Sequence, residues 1–121
     1  LQDHPMVLLD LPLSADYFLS FFRLAGLKPL IAERTRDMAV MRSLVANGYG
    51  YSIANIRPLD DRAPDGRRLR YVPMVGPVAP MMLGIVMPRA AESVLTVSAF
   101  VAHCREAVTD TSVPGLEMPH K

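Results

Sequence analysis

Residues 38–58 read MAVMRSLVANGYGYSIANIRP. Met38, Met41, Leu44 and Val45 recur at helical spacing, so this segment predicts a helix with one apolar face, from which Arg36 and Arg42 point away. Thr35 or Asp37 caps its start, and Asn47-Gly48 ends it. Tyr51–Ile56 (YSIANI) follows as a short apolar strand, with Arg57-Pro58 as the exit.

Upstream, Met6–Leu11 (MVLLDL) is an apolar run between prolines, short enough for a buried strand. Ser14 is the expected N-cap of a first helix, with Asp16 in its first turn. Phe18, Phe21, Phe22 and Ala25 recur from Ala15 at helical spacing; Gly26 supplies a left-handed end and Pro29 prevents resumption. Leu30–Thr35 (LIAERT) alternates as a second strand. Strand, helix, strand, helix, strand in that order predicts an α/β fold, a parallel sheet covered by helices.

Downstream, 57–70 gathers Pro58, Pro64 and Gly66 among mixed charges, which predicts a solvated charged hairpin. Leu69–Met74 reads as an edge strand, 75–80 (VGPVAP) as a semi-rigid crossover, and Met82–Met87 as a buried strand. Ser93 is expected to cap a last helix whose inner face is Val97, Phe100, Val101 and Cys104. The tail, 109–121, has turn formers and no periodicity, and is expected to be disordered.

Composition narrows the function. The chain has 121 residues, half of them apolar and 21% charged, enough for one modest core. A formal charge of +1 gives no basic face for a phosphate backbone. One cysteine excludes an internal disulfide and a Cys-rich zinc site, and fits a reducing compartment. No apolar run approaches the ~20 residues of a membrane span, and the N-terminus has no signal-peptide pattern. Catalysis finds no support. His4, His103 and His120 are scattered, and His103 and Cys104 diverge by about 100° on a helix. Asp60-Asp61 has no partner at metal-ligand spacing. Neither metal nor cofactor is expected.

The segment Val45-Ala46-Asn47-Gly48-Tyr49-Gly50, continued by Tyr51-Ser52 and the Arg57-Pro58 exit, resembles the helix–Gly–strand element of LysR-type transcriptional regulators. Ala25-Gly26-Leu27 with Pro29, Glu33, the hairpin, the crossover and the last helix stand in that family's order. The likeness runs from about Pro5 to Ala107.

The resemblance implies the C-terminal part of an effector-binding domain similar to periplasmic binding proteins of type II. That is a three-layer α/β half with a mostly parallel sheet flanked by helices, plus a strand and helix returning to the other lobe. Residues 1–74 would be the second lobe, 75–80 the interlobe crossover, and 81–108 the returning strand and helix. A chain opening on a strand without Met is expected to be a cut piece. The helix-turn-helix that would contact DNA, and the rest of the first lobe, are then expected upstream. The implied protein is a cytoplasmic homo-oligomer. It has no membrane partner, and the apolar helices 17–24 and 94–101 are candidates for its pairing surfaces that could equally face the core.

The implied partner is a small effector held between lobes, a carboxylate or other anion. Helix N-termini present unpaired N–H groups and a positive dipole end. Two are expected at the carboxyl edge of the sheet, at Pro12-Leu13-Ser14 and at Thr35-Arg36-Asp37, where open α/β folds hold ligands. Ser14 and Thr35 offer hydroxyls, Asn55 an amide, and Val78 an apolar wall. Ser14 and Thr35 also serve as plain caps, Arg36 as a solvated helix residue, and Asn55 as a strand-end satisfier. A solute-binding module of a transport system shares the same two-lobe architecture. A small α/β enzyme would need a nucleophile and base that the sequence does not show.

Overall fold

Met6, Val7 and Leu8 are completely buried and Leu9 is 3% exposed. They form β1 (Pro5–Leu9) in a computed structural model that describes residues 1–76 and 84–108. Successive strand side chains point to opposite faces. Met6 and Leu8 pack with Phe18 and Phe22 of α1 (Ser14–Leu24) and with Ile53. Val7 and Leu9 pack with Met41 of α2 (Met38–Ala46). A strand covered on both faces must be apolar throughout, which is why this run does not alternate. Burying each such side chain is worth about 1.5–3 kcal/mol.

β2 (Leu30–Thr35) runs parallel to β1, with Leu9 opposite Thr35. On the other side of β1, Tyr51 makes a parallel bridge to Met6. The expected α/β arrangement is therefore present: a parallel sheet between α1 and α2. The strand over Tyr51–Ile56 reduces to that one bridge. The bridge is made by the Tyr51 N–H to the Pro5 carbonyl (3.0 Å) and the Val7 N–H to the Tyr51 carbonyl (2.8 Å). Ile53 still enters the core, but from Asn55 the chain belongs to another contact unit.

Both α1 and α2 end in the same way. The Gly26 N–H reaches the Arg23 carbonyl and the Leu27 N–H the Phe22 carbonyl, at 3.0 and 2.8 Å. At the end of α2 the Gly48 N–H reaches Val45 and the Tyr49 N–H reaches Leu44, at 3.0 and 3.1 Å. These are Schellman closures, with Gly48 at φ 84° supplying the left-handed residue. Gly50 has a different duty. A Cβ there would lie 2.0 Å from the Pro5 carbonyl oxygen, so the backbone at Gly50 can approach β1 only without a side chain. The two glycines of the motif thus turn the chain and then dock it.

The charged segment does form a hairpin. Arg62 and Arg68 bridge in antiparallel fashion, and the Gly66 N–H closes on the Ala63 carbonyl at 2.8 Å. No strand forms over Leu69–Met74. Pro73 lacks an N–H, and Val72 is 72% exposed with no neighbouring ladder among the described residues. Met82 and Leu83 lie outside the described residues, as does the tail beyond Val108. Gly84–Met87 forms no strand, since no described strand pairs with it.

Among the described residues, contacts separate one unit (1–54 and 60–76) from a second (55–59 and 84–108). The second holds a 3-10 turn, Arg89–Ser93, and α3 (Leu95–Ala107). Ser93 does not cap α3. Its hydroxyl donates to the Ala90 carbonyl inside the 3-10 turn (3.1 Å), and Val94 holds the N-cap position without a side-chain bond. Val101 is buried, Val97 and Cys104 are half-buried, and Phe100 is exposed rather than inward.

Candidate functional site

Parallel pairing puts the carboxyl ends of β1 and β2 side by side, and both following helices start from that edge. The Asp10 N–H donates to the Thr35 carbonyl at 2.7 Å, so the loop 10–13 and the residues 35–37 leave the sheet as neighbours. Of the predicted site residues, Pro12, Leu13, Ser14, Thr35 and Arg36 therefore share one edge. Asn55 is exposed and belongs to the second unit, and Val78 lies outside the described residues.

The two helix N-termini differ in chemistry. At α2, Asp37 is the N-cap: its carboxylate accepts from the Ala39 N–H at 2.7 Å and the Val40 N–H at 3.2 Å. Thr35 is not the cap. Its hydroxyl oxygen accepts the Asp37 N–H at 3.1 Å and holds the turn that presents Asp37. The positive end of α2 is thus already matched by an internal carboxylate, which also repels an incoming anion. Replacing Asp37 by alanine is expected to cost about 1 kcal/mol in urea denaturation. A change under 0.3 kcal/mol would mean that water satisfies those amides equally well.

At α1 the expected cap is absent. Ser14 is the first helical residue and Leu13 occupies the N-cap position, with no side-chain hydrogen bond to the helix. Leu13 has φ 66° and ψ −39°, the one non-glycine residue with positive φ among the described residues. The Ser14 N–H folds back to the Pro12 carbonyl at 2.8 Å, a strained three-residue turn. Leu13 is 87% exposed, so burial of its side chain does not offset this strain. Ser14 is half-buried, and its hydroxyl has no hydrogen-bond partner among the described residues. Asp16, exposed, shares this first turn.

The sequence reading missed an ion pair at this edge: Arg34 Nη1 lies 3.3 Å from Asp10 Oδ2. Opposite charges at matching ends of two parallel strands were its only sequence signal. Both side chains are well exposed, so the pair contributes little to stability. It was also expected that Arg42 points outward. Instead its guanidinium turns onto the hairpin and donates to the carbonyls of Asp60 and Arg62.

Elsewhere, burial pushes the Tyr51 phenol above its ordinary pKa, and its hydroxyl has no partner among the described residues. The Asn47 amide and then the Arg67 N–H hold the Asp65 carboxyl below its ordinary range. A shallow cavity of about 440 Å³ lies between the outer side of α2 and Pro64, lined mainly by apolar groups such as Val40, Leu44 and Tyr49. Among the described residues no cluster of His, Cys, Asp and Glu could hold a metal ion, and no helix is long and apolar enough to cross a membrane.

The LysR substrate binding domain is the family whose sequence model this chain matches, over residues 1–109. The chain belongs to that family. Among solved structures it is similar to HinK, a LysR family transcriptional regulator from Pseudomonas aeruginosa, at 33% identity and a TM-score of 0.80. That match covers 88% of this chain and 37% of HinK. The PA01 protein of Pseudomonas aeruginosa, assigned to the same family of regulators, matches at 33% identity and a TM-score of 0.81, with the same two coverages of 88% and 37%. The C-terminal domain of a Rhodococcus sp. RHA1 protein assigned to the LysR family matches at 37% identity and a TM-score of 0.55, over 56% of this chain and 33% of that one. No curated protein sequence matches. This LysR-family chain therefore spans about a third of the length of the chains it matches.

Proposed function

We propose that this chain is an effector-sensing part of a LysR-type transcriptional regulator and takes a small anion, a carboxylate by preference, at the N-terminus of α1. The observation that carries the reading is the state of that terminus. Leu13 is strained, the helix start has no side-chain cap, and the Ser14 hydroxyl, near the Thr35 edge, has no partner among the described residues. Strain of this kind costs about 1–3 kcal/mol and persists where the surroundings hold it for a purpose. Pro12, Leu13 and Ser14 form the primary contact. Thr35, Arg36, Asn55 and Val78 are the further contacts that the family resemblance suggests.

In this reading 1–74 is one lobe, 75–80 the crossover, and 81–108 the part returning to the other lobe. DNA is contacted only through a helix-turn-helix elsewhere in a longer, cytoplasmic, homo-oligomeric protein. Tyr17, Phe21 and Leu24, on a side of α1 that the core does not fully cover, are suited to pairing between copies. The chain itself performs no catalysis. The effector acts by binding one arrangement of the regulator better than another, since equal affinity would shift nothing.

A panel of small carboxylates, followed by amide NMR shifts, tests the reading. Binding should perturb Ser14 and Ala15. Ser14→Ala should weaken it about tenfold, the loss of one hydrogen bond to a charged group. Ser14→Asp should abolish it through charge repulsion. Neither change should lower stability by more than about 0.5 kcal/mol, because the Ser14 hydroxyl caps nothing. Undiminished carboxylate binding by Ser14→Asp would sink the assignment.

A further inference from the structure

Glycine follows an asparagine or aspartate at two places only in this chain, Asn47-Gly48 and Asp65-Gly66. The fold ties those two side chains together. Asn47 Nδ2 donates to Asp65 Oδ2 at 2.5 Å and to the Ser43 carbonyl at 2.8 Å. Asp65 Oδ1 accepts the Arg67 N–H at 3.2 Å. The Asn47 amide, and then that N–H, hold the Asp65 carboxyl below its ordinary range, so the acceptor is a carboxylate.

An Asn-Gly pair is chemically labile, because glycine has no Cβ to hinder a close approach to its nitrogen. The Gly48 nitrogen, after giving its proton to water, attacks Asn47 Cγ. The new N–Cγ bond closes a cyclic imide, the Cγ–Nδ2 bond breaks, and Nδ2 takes up a proton and leaves as ammonia. Water then opens the imide at either carbonyl, giving aspartate or isoaspartate. The observed geometry opposes the first step. Asn47 has ψ 8°, which sets the Gly48 nitrogen over the Asn47 nitrogen and away from the Asn47 Cβ, the side on which the ring must close. The Gly48 N–H is occupied by the Val45 carbonyl at 3.0 Å. The Asn47 amide is occupied by Asp65 and Ser43, and the Asp65 charge disfavours an anionic nitrogen close by. Asn47, Gly48 and Asp65 are all exposed, so these hydrogen bonds and this backbone angle, rather than exclusion of water, withhold the reaction.

We propose that Asn47 is a site of spontaneous deamidation on the seam between α2 and the hairpin, and that Asp65 guards it. The conversion reinforces itself. A carboxylate at position 47 has no hydrogen to donate and meets Asp65 as a like charge, so the hairpin tip parts from α2. An isoaspartate also adds a main-chain carbon between the end of α2 and Gly50, whose approach to the Pro5 carbonyl leaves no room for displacement.

Fragmentation mass spectrometry of the full chain held at neutral pH tests this by reading amide-to-acid conversion at Asn47. Asn47 should convert at least about tenfold more slowly in the folded chain than in the chain unfolded by urea, since reaction must wait for local opening. Asp65→Ala should raise the folded rate about tenfold, the factor for losing one hydrogen bond to a charged group, while the β1 amides stay protected from exchange. Asp65→Asn keeps an acceptor without the charge and should give a smaller rise. Asn47→Asp, which carries the product side chain, should speed exchange of the hairpin amides Ala63 and Gly66 about tenfold and leave β1 unchanged. Equal folded and unfolded rates at Asn47, or an Asp65→Ala rate equal to that of the unmodified chain, would overturn the guard. Unchanged hairpin exchange in Asn47→Asp would overturn the release. If Asp65→Ala loosens β1 as well, Asp65→Asn decides: a faster Asn47 conversion with β1 protected supports the guard, and no rise, or a rise only with loss of β1 protection, refutes it.

Discussion

Gly50→Ala is expected to destabilise the chain by about 3–5 kcal/mol, combining a backbone conformation that alanine adopts only under strain with a hard clash. The added Cβ would lie 2.0 Å from the Pro5 carbonyl oxygen and 2.7 Å from its carbonyl carbon, at a φ of 142°. Both neighbours are backbone, so no side chain can swing aside. The chain must instead lift away from β1, breaking the bonds from the Tyr51 N–H to Pro5 and from the Val7 N–H to Tyr51. Ile53 is then drawn out of the cluster around Met6 and Leu8. Against a typical total of about 5–15 kcal/mol, such a loss removes much of the folded population. Gly48→Ala is the control. Its φ of 84° is left-handed, but an added Cβ meets nothing within 4 Å, so the cost should be only about 1–2 kcal/mol. Urea denaturation of the two variants separates the effects, and equal losses would show that the close approach to Pro5 does not matter.

Phe18→Ala should cost about 3–5 kcal/mol, as expected when a buried aromatic leaves a cavity that its neighbours cannot fill. Phe18 is 2% exposed and, with Phe22, packs α1 onto Met6, Leu8 and Ile53. It also meets Tyr17 and Phe21 edge-on, with ring centres at 5.4 and 6.3 Å. Such aromatic pairs add about 0.5–1.5 kcal/mol beyond area burial. Phe18→Leu refills most of the volume and should cost about 1–2 kcal/mol. Leu24→Ala, on the same helix but 74% exposed, should change stability by less than about 0.5 kcal/mol. A Phe18→Ala loss no greater than that of Leu24→Ala would contradict the packing of α1 on β1.

The elements that were legible in the sequence are those whose signal is local. Phe18 and Phe22 at helical spacing place the inner face of α1, and Met38, Met41, Leu44 and Val45 that of α2, as the two clusters confirm. The apolar run Met6–Leu11 marks a buried strand, which ends two residues earlier at Leu9, and β2 occupies the residues that its alternation indicates. Gly26 and Gly48 announce helix ends because left-handed backbone is a property of the residue itself.

Caps were legible only as a choice. Ser14, Thr35, Asp37 and Ser93 all have the right chemistry, yet Asp37 alone caps a helix. A cap depends on the backbone angle at which the chain arrives, and that angle is set by what the preceding strand pairs with. For the same reason the candidate site resolved late. Two equivalent helix N-termini in the sequence became one capped by Asp37 and one without a side-chain cap, whose Ser14 and Ala15 amides turn to the Pro12 and Leu11 carbonyls behind a strained Leu13.

By itself, the sequence determined the order β1, α1, β2, α2, the main residues these elements bury, and the family, because side-chain periodicity and glycine's backbone freedom act within a few residues. Tertiary structure decided the rest. It determined that Tyr51 contributes one bridge instead of a strand, that Gly50 must lie against Pro5, that Arg42 turns inward, and which helix start has a side-chain cap. Each of these depends on hydrogen-bond partners and close contacts distant in the chain, which no local pattern of residues encodes.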